Sequence, residues 1–346
     1  MRVTSYINAL TPPRSPVAST ELARRHRIGK LFEWTCFGST WFGIAVLAIL
    51  LLGILWKSFG WLTWDFLSNY HSPVAARAGI LAGLWGSVWL IVLTALFAVP
   101  IGVGAAIYLE EYGRDSKLKR IIQINLSNLA GVPSIVYGIL GLTAFVRMFD
   151  VIPTSIKSVS FKCTLLPALK VTIPLPLGPT IISGALTLGL LALPVIIVAA
   201  QEALRAVPSS IRIASYALGA TQWQTIRHQV LPAAMPGIST GVILALSRAM
   251  GESAPLIMVG ALTSASFCPG GIESFGKLFS KSQGVLQAPF DSFTALPIQI
   301  FNWSTRPEPE FQHVAAAGIL VLLVVLMCLN TAAIVIRQRF QKRTRW

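Results

Sequence analysis

Apolar residues gather into six long blocks along the chain, at about residues 36–56, 79–109, 121–149, 179–200, 237–265 and 313–336. Each is about 20 residues or longer, enough for an α-helix to cross the hydrocarbon core of a bilayer. The pattern predicts an all-α integral membrane protein with six transmembrane helices. Polar stretches separate the blocks: 1–35, 57–78, 110–120, 150–178, 202–236, 266–312 and 337–346. The first block follows a Pro/Ser-rich stretch ending in Arg24-Arg25-His26-Arg27, and it is too long for the apolar core of a cleaved signal peptide, so it reads as a retained span behind an N-terminal tail. Proline at 100 with Gly102 and Gly104 marks a bend and close helix contacts in the second block. Gly131, Val132, Pro133 and Ser134 interrupt the third, either as a packed kink or as a place where backbone amides face a pathway. Four prolines make 150–178 a loop, and 266–312 reads as a polar, aromatic loop with short helices on the membrane surface.

Composition sharpens this reading. Of 346 residues, 54% are hydrophobic and 12% charged, where a soluble domain carries about a quarter charged. One membrane domain (36–336) therefore accounts for nearly the whole chain. The net charge of +15 invites a nucleic-acid reading, but the basic residues sit between apolar blocks rather than along one amphipathic face. Lysines and arginines number 18 in segments 1–35, 110–120, 202–236 and 337–346, against 9 in 57–78, 147–178 and 266–312. By the positive-inside rule both termini and the 202–236 loop are cytoplasmic, and 57–78, 150–178 and 266–312 are external. Cys36 and Cys328 fall in apolar spans and read as buried, inert thiols. Cys163 and Cys268 fall in the external loops, where a disulfide can persist, so they stand as a candidate bridge. The four histidines are scattered and read as surface residues. The sequence contains no GxxxxGK[ST] phosphate loop, no catalytic constellation and no metal-ligand spacing. The chain is expected to bind no cofactor or metal and to act as something other than an enzyme.

The 202–236 loop is polar yet rich in helix formers. Pro208-Ser209-Ser210 is a break and cap, Gly219 permits a tight turn, and Leu231-Pro232 stops the second helix before the next span. Two short helices joined at a glycine form either a docking knob for an aqueous partner or an ordinary interfacial helix. Glu110 and Glu111, at the end of the second span, read as solvated end charges, with orientation of that span or contact with a partner as alternatives. In the fifth span Arg248 and Glu252 are four apart, on one helix face, and can pair. An arginine there costs at least about 2.5–3.5 kcal/mol unpaired. It is either half of a structural ion pair or a guanidinium on a translocation path, whose planar fork matches the oxygens of an anion.

The loop resembles the EAA loop of binding-protein-dependent ABC transporter permeases: EAA, three residues, Gly, nine residues, I-x-L-P. Ala214, Gly219, Leu231 and Pro232 match, while Ile213, Ser215 and Gln229 replace the family's glutamate, alanine and isoleucine. Further stretches resemble PstA-type phosphate permeases: Ile107–Tyr112, Leu129–Gly138, Glu202–Pro208, Arg248–Pro255 and Phe293–Ile300. The resemblance covers about 79–340 and implies a MetI-like type I ABC importer permease in the bacterial inner membrane. It implies a PstC-type second permease, a dimeric cytoplasmic ABC ATPase carrying ATP and Mg, and a periplasmic or lipid-anchored phosphate-binding protein, all working among membrane lipids and without nucleic acid. The coupling loop would then be carried by Glu202, Ala214, Tyr216, Ala217, Leu218, Gly219, Ala220, Thr221, Leu231 and Pro232. Arg248 and Glu252 would line the phosphate path. The rivals are a permease for sulfate, molybdate or phosphonate, and an ATP-independent secondary transporter.

Overall fold

The computed structural model describes residues 16–113, 116–147, 158–162, 170–174, 177–271 and 287–343. These form two units, Met1–Trp56 and Lys57–Trp346. The first is carried by α1, Pro16–Ser58. This helix begins well before the apolar block because residues 18–30 are rich in Ala, Glu, Leu and Arg, which propagate a helix readily. Within it, Arg24–Ser58 has membrane length and hydropathy, with none of its most apolar window buried inside the chain. Cys36 is accordingly exposed rather than buried, and so is Cys328 in the last helix. Membrane burial places such side chains against lipid or a partner, so an apolar span does not imply burial within its own chain.

The second unit starts with the short α2, Trp64–Ser68, capped by the Thr63 hydroxyl. Helix α3, Leu81–Ile107, runs into a π-turn at Tyr108–Tyr112. Where one span was expected over 121–149, two helices stand, α4 (Lys117–Leu129) and α5 (Ser134–Gly141), bent by 106°. Pro133 lacks the donor a continuing helix needs and drives Val132 out of helical geometry. The Tyr137 hydroxyl donates to Leu129 O across the break at 2.8 Å. The expected 150–178 loop contains a hairpin, β1 (Ser158–Lys162) and β2 (Lys170–Pro174), pairing Val159 with Ile173 and Phe161 with Val171. Its alternation of apolar and polar residues has period two, which the surrounding prolines obscure.

Helix α6, Ile181–Arg205, is followed by α7, Ser209–Ala217, and α8, Gln222–Gly251. Helix α8 differs from expectation at both ends. Leu231-Pro232 does not stop it, because a π-turn at Ile226–Val230 lets Leu231 N–H reach Ile226 O and absorbs the donor missing at Pro232. Its far end is Gly251 rather than residue 265, since Pro255 cannot donate back to Gly251. The chain resumes as α9, Ala254–Val259, then α10, Leu296–Ser304, and α11, Pro309–Arg343. Five of these helices (α1, α3, α6, α8 and α11) are long and apolar enough to cross a membrane, and the bent α4–α5 pair supplies a sixth.

Helix α6 is the centre of the second unit, with Ile181, Ala185, Leu188, Ala192, Ile196, Ala200 and Leu204 almost wholly buried. Thr94 of α3 donates to Ala185 O at 3.2 Å, tying the two helices at a buried polar point. Helix α10 was expected on the membrane surface, yet its Leu296, Ile298, Gln299 and Trp303 are fully buried. It enters because Gly83 and Gly86 of α3 leave the space that Gln299 and the Thr294 backbone fill. Leu296 N–H then donates to the Ser87 hydroxyl at 2.9 Å.

His71, expected at the surface, is stacked on Trp303 with ring centroids 6.0 Å apart and planes 8° from parallel. Its Nε2 accepts from Arg306 at 3.2 Å, which places its proton on Nδ1. Burial, then the neighbouring Arg306 charge, hold the imidazole below its ordinary 6.5. The folded chain thus keeps His71 neutral where the unfolded chain already binds a proton. This contribution to stability is complete above pH 6.5 and declines as the pH falls below it. Thermal denaturation of the solubilised protein is expected to shift downward between about pH 7 and pH 5, and His71→Asn is expected to flatten that dependence.

Candidate functional site

The 202–236 loop is built from two helical ends and a turn. Helix α7 closes in a Schellman motif: Gly219 N–H donates to Tyr216 O at 2.9 Å and Ala220 N–H to Ser215 O at 3.2 Å. Gly219 takes φ +81°, and a side chain added there would meet open space, so its glycine serves backbone geometry alone. Thr221 and Gln224 then form a capping box that starts α8, a T-x-x-Q signature legible in the sequence. The Ser215 and Thr225 hydroxyls, 2.9 Å apart, join the two arms. The result is a helix–turn–helix whose second arm is the beginning of a long helix rather than a short one.

Its surface is apolar where it faces away from the bundle. Leu218 is 90% exposed, and Ile213, Tyr216 and Trp223 are also exposed. A groove of about 710 Å³ runs between the arms, lined by Ile211, Ala214, Leu218, Ala220, Gln224 and His228 among others. Of the residues expected to carry the coupling loop, Ala214, Tyr216, Ala217, Leu218, Gly219, Ala220 and Thr221 lie on this helix–turn–helix, whereas Glu202 is on α6 and Leu231 and Pro232 lie inside α8.

Charged pairs fasten the motif to the ends of α3 and α6. The bidentate pair between Arg212 and Glu111 has N–O distances of 2.7 and 3.3 Å. The Arg212 guanidinium also donates to Val207 O at 2.8 Å and Leu204 O at 3.1 Å. Arg205 pairs with Glu110 at 3.0 Å and with Glu202 at 3.3 Å, and the Gln222 side chain donates to Glu111 O at 2.7 Å. Glu110 and Glu111 are therefore engaged rather than solvated; the Glu111 side chain is only 7% exposed. The signal was two carboxylates at the end of one span and arginines on either side of the Pro208 break, at 205 and 212.

The second candidate region lies where two spans break. Arg248 sits in the last turn of α8, later in its helix than the sequence implied, because that helix starts at Gln222. Its Nε lies 3.7 Å from Glu252 Oε1, and its side chain is 56% exposed. Glu252 is already extended, at φ −83° and ψ 121°, so the pair bridges the helix end instead of lying along one face. Gly131 and Pro133, at the other break, are exposed, with Ser134 half-buried. The amides of Gly131 and Val132 are satisfied within the turn by Asn128 O and Leu129 O, which favours a kink over a pair of outward-facing donors. The short helices beyond the two breaks, α5 and α9, meet in one apolar cluster containing Tyr137, Leu188, Ala249 and Leu256. Cys268 is buried beside Trp85, and Cys163 lies outside the described residues, as does their candidate bridge. Among the described residues no group of three His, Cys, Asp or Glu side chains is placed to hold a metal.

Membrane-length helices packed on α6 in the second unit, with a clamped helix–turn–helix at one end, define the class: a multi-pass membrane permease. The profile of the binding-protein-dependent transport system inner membrane component family matches residues 98–346, and the chain belongs to that family. It is 31% identical over 347 residues to the phosphate transport system permease protein PstA 1 of Mycobacterium tuberculosis (strain CDC 1551 / Oshkosh), covering 97% of this chain and 98% of that one. It is 30% identical over 294 residues to the probable ABC transporter permease protein YqgI of Bacillus subtilis, covering 84% and 89%. The fold is shared with a bacterial ABC transporter involved in the import of the acidic polysaccharide alginate, at a TM-score of 0.53 and 15% identity, over 92% of this chain and 99% of that one. The chain is thus a permease subunit of an ABC importer in the inner membrane.

Gly219→Val would force a β-branched residue into left-handed geometry at a cost of about 1–2 kcal/mol or more. Hydrogen exchange over residues 215–225 is expected to accelerate, with the spans unaffected, while Gly219→Asn is expected to restore much of the protection.

Proposed function

We propose that the chain is half of the translocation pathway of an ATP-driven importer of inorganic phosphate. The observation that carries this reading is the similarity to a phosphate permease over nearly the full length of both chains. The family has a pathway shared with a second permease, here of the PstC type, and a cytoplasmic ATPase dimer that binds ATP and Mg. A periplasmic or lipid-anchored phosphate-binding protein delivers substrate. The excess of basic residues near the helix–turn–helix supports a cytoplasmic position for it and for both termini.

In this reading the exposed apolar surface of α7 and its turn seats on the ATPase. Closure of the ATPase dimer on ATP displaces that surface, and α6 and α8, covalently joined to it, rock so that the pathway opens outward; hydrolysis returns it to face inward. The family's loop glutamate is Ile213 here, 66% exposed, so docking at this point rests on apolar burial instead of an ion pair. Arg248 attracts the anion, and Glu252, 3.7 Å away, tempers the field so that phosphate can leave. The exposure of Arg248 supports a place on an open surface more than a locked internal pair.

Two measurements test the reading on the copurified complex in proteoliposomes. Arg248→Gln is expected to reduce phosphate uptake by about 10- to 100-fold, the worth of a hydrogen bond to a charged group, with assembly intact; disassembly would make the pair structural. An aspartate inserted beside Gly219 is expected to leave ATP hydrolysis while abolishing uptake, and normal uptake would refute the coupling role. Uptake of sulfate or molybdate in place of phosphate would reassign the substrate, and uptake driven by an ion gradient without ATP would reassign the mechanism.

A further inference from the structure

Helix α3 has no covalent connection to the helix–turn–helix, yet it makes the most buried ion pair with it among the described residues. The π-turn at the end of α3, closed by Gly113 N–H on Tyr108 O at 2.8 Å, turns two successive carboxylates to different neighbours. Glu110 meets Arg205 at the end of α6, and Glu111 meets Arg212 on α7. Arg212 uses Nε and Nη2 on the carboxylate, Nη2 again on Leu204 O and Nη1 on Val207 O. A single guanidinium thus holds the end of α3, the end of α6 and the first arm of the motif. Gln222 repeats the tie from the second arm, through Glu111 O. With 7% of the Glu111 side chain and 20% of Arg212 exposed, water and salt screen the pair little, and a planar fork fixes its geometry in a way a lysine would not.

We propose that Glu111 and Arg212 are positioning residues for coupling, a rigid link through which force on the helix–turn–helix reaches α3. The inference rests on the permease reading above and extends it. The moving body is α3, α6 and the first part of α8 together, rather than only the two helices covalently joined to α7. Helix α3 lies along α6 through Thr94 on Ala185 and through their shared apolar clusters. The clamp therefore completes the body at the end where the load arrives, and without it α7 can tilt against α3 before any span moves.

The test uses the assembled complex with its four cysteines replaced. Spin labels at Tyr112→Cys and Ser210→Cys report the separation of α3 from α7 in nucleotide-free and ATP-trapped states. The separation is expected to be the same in both states with the clamp intact, and to shift or broaden on ATP binding in Glu111→Gln. In proteoliposomes, Glu111→Gln and the charge-retaining Arg212→Lys are expected to keep ATP hydrolysis while phosphate moved per ATP falls at least about fivefold. Bridging Glu111→Cys and Arg212→Cys with a short thiol cross-linker is expected to restore the ratio, an outcome that a role in mere folding or in direct ATPase contact would not give. If Glu111→Gln fails to assemble, Arg212→Lys decides. A separation that changes with nucleotide in the intact clamp, an unchanged ratio in the single variants, or a cross-linked variant that stays uncoupled each overturns the proposal. A complex that hydrolyses ATP but moves no phosphate refutes the substrate reading instead, and the label distances still decide the clamp.

Discussion

Close packing around α6 is the constraint on which the rest of the second unit depends. In a bilayer, lipid tails are as apolar as leucine, so helices gain little from hiding apolar surface from one another and must instead approach closely. Small residues make that approach feasible: Ala192 and Ala200 along α6 share apolar clusters with Ala98 and Ala106 of α3. Gly237 and Gly241 of α8 lie against Ala203 and Ala199, and Gly141 at the end of α5 lies against Thr187. With α6 fixed, the far segment 287–304 is drawn in beside α3, and the two broken spans find a common apolar seat between α5 and α9.

The ends of the same helices carry the polar work. The helix–turn–helix is attached to the bundle by one bidentate arginine and one glutamine, and a second arginine between two glutamates ties the ends of α3 and α6 beside it, all at the boundary where the apolar blocks stop. Such contacts are weak on an open surface, and they matter here because the Glu111 carboxylate is almost fully enclosed. The apolar residues of the motif, Leu218 above all, remain outward and unengaged by their own chain. A firmly held support with a bare apolar tip is what a surface must be if another protein is to push on it.

Much of this was legible in the residues. Block length alone located the spans α1, α3, α6 and α11, and a polar stretch of helix formers with Gly219 located the helix–turn–helix. Where helix ends and breaks differ from expectation, the cause is proline, whose effect depends on its surroundings. Pro133 and Pro255 break their helices, whereas Pro100, Pro194 and Pro236 stand inside helices, and Pro232 is carried by a π-turn that no local pattern announces. Long-range partners were beyond reach for a different reason. Glu111 and Arg212 are 101 residues apart, and only the packing of α3 on α6 brings them together. The burial of α10 was hidden likewise, since an aromatic, polar segment reads as surface until Gly83 and Gly86 are seen to make room for it.

The π-turn at Ile226–Val230 has a consequence for how such a chain can change. Each residue in a helix advances the face by about 100°, so a one-residue insertion in an unbroken α8 would spin its whole intramembrane face away from α6. A π-turn stores one such residue as local slack. It fixes the angular phase between the outward tip at Leu218 and the bundle-facing stripe at Ala234, Ile238 and Ala245, and confines any shift in that phase to a single turn. The tip can thus be re-aimed to suit a differently shaped partner while the stripe that packs on α6 stays in register.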